Sequence, residues 1–263
     1  MSRSTPIGRP GRAAFAACAS VIVLFAALVA CGPSEEERVS AARADAWAEL
    51  QEEQAALNAK RDELAGLRAR VLAAGEDDDV EALTAQVDSL DNEIGNDGEA
   101  FATKLVNYIN EAEWELGGEM TEEQRAAFAM KSAEDMYLAE EYVVKGGDYR
   151  RAVEILQRAL GVDPDNADLQ ARLAEYQDAR YITAERLAQV ERGMTEAEVE
   201  ALLGKVFHRN VREFDEENVF AWFYPKNPEE HGAGAAAGVF FREGDGKVYR
   251  TDANAVEGQA EEE

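Results

Sequence analysis

Few side chains in this sequence are reactive. Cys18 and Cys31 are the two thiols, and His208 and His231 are the two imidazoles. Cys31 has the most particular setting. It ends the run Leu28-Val29-Ala30-Cys31, which follows an apolar stretch and precedes the abruptly charged Ser34-Glu35-Glu36-Glu37-Arg38. A basic start (Arg3, Arg9, Arg12), an apolar middle and a small-residue cleavage point form a secretory signal. Cys18 lies inside the apolar run and leaves with that signal, so no second thiol remains for a disulfide or a thiolate metal site. His208 follows Phe207 on an expected strand and His231 falls in an expected loop, neither beside a Ser or acid pattern that suggests a triad. The acidic cluster Glu76–Asp79 lacks regular ligand spacing and reads as a solvated turn whose Asp caps the next helix. The sequence holds no phosphate loop, nucleophile elbow or metal spacing. No catalytic residue, cofactor or metal is expected.

The run Leu28-Val29-Ala30-Cys31 resembles the lipobox of bacterial lipoproteins. The resemblance implies a diacylglycerol thioether on Cys31, cleavage just before it and usually acylation of the freed amine. The mature protein would be residues 31–263. Two acyl chains suffice for a stable anchor, where one is marginal. The alternative is an uncleaved anchor, since Ala13–Ala30 has 18 residues, near the lower limit of a spanning helix. Gly32, rather than Asp, follows Cys31. By the sorting rule of enteric lipoproteins this favours the outer membrane, with the chain facing the periplasm.

The formal charge of the whole chain is −27. Without residues 1–30 it carries 24 Lys and Arg against 54 Asp and Glu, or −30. Nucleic acid is excluded as a partner, because phosphate binding needs clustered positive charge. A broad docking face on anionic lipid is disfavoured for the same reason. The membrane is then reached through lipid at Cys31, and the remaining partners are proteins of the cell envelope.

The elements that carry these residues are mainly helical. Residues 31–37 read as a linker. Leu50, Leu57, Leu64 and Val71 then recur every seven residues, the spacing of a coiled-coil helix. Val80, Leu83, Val87, Leu90 and Ile94 mark a second amphipathic segment. Over residues 38–95 these two either fold back as an antiparallel hairpin or pair with a second chain in a homo-oligomer. A turn is expected at Gly95-Asn96-Asp97-Gly98 and a helix over about Glu99–Leu116, ended by Gly117-Gly118. Thr121-Glu122-Glu123-Gln124 is a capping box that opens a helix to about Lys145.

Within a helical region at 99–190, Gly147-Asp148-Tyr149, Ala152, Leu156, Ala159 and Pro164 resemble the second half of a tetratricopeptide (TPR) repeat. Leu138 and Ala139 match its first half if the turn is one residue longer than usual. The repeat would span 133–166, with Gly147 permitting the turn, Tyr149 and Leu156 filling the gap between helices, and Ala152 and Ala159 letting them approach. Gly161 would close the helix and Pro164 set up the next. A partial second unit begins at Leu173-Ala174, with helix continuing to about Arg192. A single repeat cannot bury its own apolar face, so neighbouring helices or a partner must cap it.

The stretch Gly193-Met194-Thr195 followed by Val199, Leu202, Leu203 and Gly204 has Thr195 capping a short helix with Glu198. Strand-like runs follow at Val206–Arg212, Val219–Tyr224, Gly238–Arg242 and Lys247–Arg250, the last two around a hairpin turn at Glu243–Gly246. This order is similar to the small outer-membrane lipoprotein family SmpA/OmlA, which includes a subunit of the β-barrel assembly machinery. The resemblance implies a small α+β domain at 191–252 with an antiparallel sheet. Lys205 departs from the pattern, where Pro is common soon after the Gly. Trp222 and Tyr224 are read two ways, as core or as a binding face. Residues 225–237 read as a flexible loop, and 253–263 as an acidic tail.

The fold class expected is therefore mainly α: a coiled-coil helical hairpin, a TPR-like helical unit, then a small α+β domain. The expected function is that of a non-catalytic envelope scaffold or adaptor, in outer-membrane assembly or maintenance. In the barrel-assembly machinery, the resemblance implies, a repeat-containing lipoprotein and a SmpA/OmlA-type lipoprotein work together. The alternative is an inhibitor or regulator of an envelope enzyme acting through the C-terminal domain.

Overall fold

The computed structural model describes residues 34–75, 79–111 and 120–259. The expected signal, Leu28, Val29, Ala30 and the lipidation residue Cys31 lie outside the described residues, as do Trp114 and Gly117-Gly118. Among the described residues no helix is long and apolar enough to cross a membrane. The chain is mainly helical and ends in a small four-stranded antiparallel sheet, as expected. It divides into two units at Phe101.

In the first unit, helix α1 spans Glu35–Ala73. It starts inside the segment expected to be linker. Ser34 Oγ accepts from the Glu37 amide at 3.2 Å and Glu37 Oε2 accepts from the Ser34 amide at 2.7 Å, a reciprocal cap. Three glutamates in the first turn complement the positive end of the helix dipole. Helix α2 spans Val80–Glu111. Its entry is held by the Asp79 carboxylate, which accepts from the Ala82 amide at 3.0 Å. The helices run antiparallel. Arg68 pairs with Asp91 at 3.0 Å, while Lys60, earlier on α1, pairs with Asp97 at 2.6 Å and with Glu93. Leu50, Leu57 and Leu64 are at most 3% exposed within the single chain. These leucines hold the hairpin, because rim ion pairs in water contribute little and mainly set register.

The turn expected at Gly95–Gly98 does not form, and α2 runs straight through it. The apolar stripe explains why. Ile94, Phe101, Leu105 and Tyr108 are all buried at helical spacing. Each such side chain is worth about 1.5–3 kcal/mol on burial, against about 1 kcal/mol lost per internal glycine. A Cβ added at Gly95 or Gly98 would meet no atom within 4 Å. Gly95→Ala and Gly98→Ala should therefore each stabilise the protein by about 0.5–1 kcal/mol. A urea midpoint that falls in either variant would show that the glycines are needed for a bend.

In the second unit, Thr121 and Gln124 form the expected capping box at the start of α3, Glu122–Gly146. Helix α4, Tyr149–Val162, returns along it, and α5, Ala167–Ala179, packs on α4. Ala139, Ala152 and Leu156 are fully covered, which lets the helix axes approach. Gly161 lies inside the last turn of α4; Asp163 caps that helix, so the glycine does not close it. Nor does helix continue to Arg192. It stops at Ala179, because Ile182, Leu187 and Val190 are drawn into the core of the following α+β unit. The Ile182 amide donates to the Pro225 carbonyl at 2.9 Å, and Thr183 caps the short α6, Ala184–Leu187.

Helix α7, Glu196–Leu203, carries the predicted Thr195–Glu198 capping box. The strands β1 (Val211–Phe214), β2 (Val219–Pro225), β3 (Ala236–Arg242) and β4 (Lys247–Val256) form a meander in that order. The backbone of Gly193-Met194 pairs with Val248 through two bonds of 2.8 Å, which fastens the start of α7 beside β4. Three expectations change here. His208–Asn210 is a 3₁₀ turn, so the first strand is shorter than Val206–Arg212. Residues 225–237 are not a loose loop: Pro228–His231 forms the short helix α8, and Ala235, Ala236 and Ala237 are buried as β3 begins. The segment expected as acidic tail continues β4 to Val256, and Gln259 exchanges two backbone bonds with Ala233.

Candidate functional site

Gly147-Asp148-Tyr149 and Leu203-Gly204-Lys205-Val206 form two turns that meet. Gly147 has φ +65°, which takes the chain from α3 into α4, and the Asp148 carboxylate caps α4 by accepting from the Arg151 amide at 2.9 Å. A Cβ on Gly147 would stand 2.7 Å from the Lys205 carbonyl oxygen and closer still to that of Val206. Gly204 has φ +82° and ψ 169°, a region that glycine alone occupies readily. A Cβ there would stand 2.6 Å from Tyr149 Oη. The two glycines thus serve one close approach, that of the helical hairpin to the α+β unit.

The end of α7 is satisfied from within the α+β unit. Arg186 Nη2 donates to the Leu203 carbonyl at 2.8 Å, and Tyr224 Oη donates to the Gly204 carbonyl at 3.1 Å. These are carbonyls that a helix C-terminus leaves without intrahelical partners. Tyr149 meets Tyr176 edge to face at 5.8 Å. Burial pushes the Tyr149 phenol up, partly offset by a hydrogen bond from the Lys205 backbone; burial pushes Tyr176 up to about 12 and raises Tyr224 as well. The hydroxyl of Tyr224 therefore stays protonated near neutral pH and remains a donor.

Two adjoining open grooves lie at the joint and beside it. The larger, about 430 Å³, runs over Arg212, Phe223, Lys226, Ala235 and Val256. The smaller, about 170 Å³, lies over Tyr149, Arg150, Arg180, Lys205 and Phe207. Tyr181, Asn210 and Pro225 line both. One acid, Asp148, lines them, against the five cations Arg150, Arg180, Lys205, Arg212 and Lys226. Arg150 pairs with Glu154 at 3.4 Å. The other four form no ion pair among the described residues. Arg212 donates to the Arg209 and Val211 carbonyls, Lys226 to the Ala253 carbonyl and to Asn254 Oδ1, and Arg180 stacks over the Tyr181 ring at 4.9 Å.

The residues singled out by sequence divide three ways. Ala139, Ala152, Leu156 and Ala159 are core residues of the helical hairpin, Pro164 lies in the turn before α5, and Leu138 stands 48% exposed. Gly147 and Tyr149 belong to the joint. Trp222 and Tyr224 are each 6% exposed and pack with Val199, Leu203 and Phe241. Both are core residues on the face of β2 turned to α7; Trp222 lines neither groove, which corrects its binding-face reading, whereas Tyr224 also lines the smaller groove. His208 lies against Gly146 and the Phe207 ring, and His231 stands 3.9 Å from its neighbour Glu230. The cations of the grooves were not visible in sequence as a set. They sit on five separate segments, and only Lys205 was noticeable alone, as a departure from the pattern of the family that the sequence resembles. Compared with protein-family models, curated proteins and solved structures, the chain matches none.

Proposed function

We propose that this chain is a lipoprotein of the bacterial envelope that acts as a non-catalytic protein-binding scaffold, tethered through lipid at Cys31. In this reading the long helical hairpin is a spacer, and the second unit is the binding part. The site belongs to outer-membrane assembly or maintenance, facing the periplasm. The observation that carries the reading is the tight joint at Gly147 and Gly204. Two modules that resemble protein-binding units are held there as one surface, with one groove open to solvent over the joint and a second adjoining it. A rigid surface of this sort loses little freedom when a partner docks, which favours affinity.

Two measurements test the proposal. Cys31→Ala should move the protein from the membrane fraction to the soluble periplasm; retention in the membrane would favour an uncleaved helix. Photo-crosslinking in intact cells from positions beside the joint should yield discrete adducts with envelope proteins. Absence of adducts from every such position would remove the scaffold reading.

A further inference from the structure

We infer that the two grooves form one track for an extended acidic polypeptide segment of a partner protein, with aromatic or apolar residues between its carboxylates. The inference rests on the scaffold reading and gives the partner its chemistry. Acids outnumber bases 54 to 27 in this chain, yet the groove lining reverses the ratio, with five cations and one acid. That one acid is already engaged in capping α4.

Arg180, Lys205, Arg212 and Lys226 form no ion pair among the described residues. Several cations elsewhere meet carboxylates, as Lys60 does Asp97, Arg68 does Asp91 and Arg242 does Asp245, while Arg186 and Arg192 are spent singly on backbone carbonyls; the grooves differ in gathering four cations without an ion pair. An arginine held by backbone carbonyls is oriented while its charge remains uncompensated, and an incoming carboxylate gains a charge-assisted bond without displacing an internal one. Tyr181, Phe207, Phe223 and Pro225 offer apolar surface along the track. The cations are spread over five segments and two grooves, whereas a lone phosphate needs donors converging on one point. The acidic remainder of the surface repels the same segment elsewhere, which confines it to the track.

The test uses the full mature chain and a fluorescein-labelled peptide of alternating Glu and Tyr, followed by fluorescence anisotropy. A Gln-Tyr peptide of equal length and phosphatidylglycerol vesicles are the comparators. The Glu-Tyr peptide should bind, with affinity falling as salt rises, and the Gln-Tyr peptide should bind at least about tenfold more weakly. The double variant Arg212→Glu with Lys226→Glu should weaken Glu-Tyr binding about 10- to 100-fold while the circular dichroism melting curve is unchanged. If that variant fails to fold, Arg212→Gln with Lys226→Gln should give a smaller loss in the same direction. Equal binding of the two peptides, an affinity unmoved by both variants, or binding to the vesicles alone would overturn the inference. Should crosslinks in cells capture a partner that Arg212→Glu with Lys226→Glu leaves untouched, the scaffold stands and the acidic track falls.

Discussion

Gly147→Ala is expected to destabilise the second unit by about 2–5 kcal/mol. Two costs combine. An alanine at φ +65° sits in the left-handed region, which costs about 1–2 kcal/mol. Its methyl would also press on the carbonyls of Lys205 and Val206, and overpacking of this kind costs about 1–3 kcal/mol. The obstacle is backbone from the neighbouring module, so no side-chain rotation can relieve it. Gly246→Ala is the matched control, since its φ is +62° and the new methyl would meet only the end of the Glu196 side chain, at 3.4 Å. The difference between the two variants isolates the contact across the joint. Chemical denaturation followed by circular dichroism reads both. Should Gly147→Ala cost no more than Gly246→Ala, the joint yields freely, and the rigid-surface argument loses its support. If the difference appears, the same variant should also widen the small groove, because Gly147, Tyr149 and Lys205 all line it.

Local chemistry was legible in the sequence. The Thr121–Gln124 and Thr195–Glu198 boxes and the Leu50, Leu57, Leu64 heptad each follow from residues a few positions apart, and each formed. What failed did so where distant residues decide. Gly95 and Gly98 have the composition of a turn, but the burial of Phe101 and Leu105 continues the helix through them. The segment after Ala179 is rich in helix formers, yet Ile182, Leu187 and Val190 belong to a different core, and tertiary packing overrode propensity. The alanines at 235–237 read as flexible because small residues leave no periodic signal, although they are buried at the start of β3.

The candidate site shows the same limit more sharply. Gly147 and Tyr149 were recognised, but as parts of a repeat; their contact with Gly204 and Val206 joins positions more than fifty residues apart. No spacing rule links a glycine that ends one helix to a glycine that ends another. A role for Tyr149 in filling the gap between helices would also predict that its hydroxyl is dispensable. In the structure that hydroxyl lies against Gly204 and is bonded by the Lys205 backbone.

Phe241→Ala is expected to cost about 3–5 kcal/mol, the range for a fully buried aromatic. Phe241 is 0% exposed on the inner strand β3. Its ring stacks on Phe220 at 4.9 Å and lies 4.7 Å from Trp222. Such pairs add about 0.5–1.5 kcal/mol each beyond area burial, so the loss should fall in the upper part of that range. A domain of this size holds only about 5–15 kcal/mol in total, and the variant would leave the sheet near its unfolding point. Phe241→Leu keeps most of the volume and should cost clearly less. Near-ultraviolet circular dichroism reads the local effect, since Trp222 loses its neighbour. The far-ultraviolet signal decides a larger question. Tyr149, Gly147 and Gly204 bind the hairpin to the sheet domain, so removing a ring from the sheet should lower the melting of α3, α4 and α5 in the same transition. Helices that melt separately, at an unchanged temperature, would mean that the two modules fold independently and that the joint carries no cooperativity.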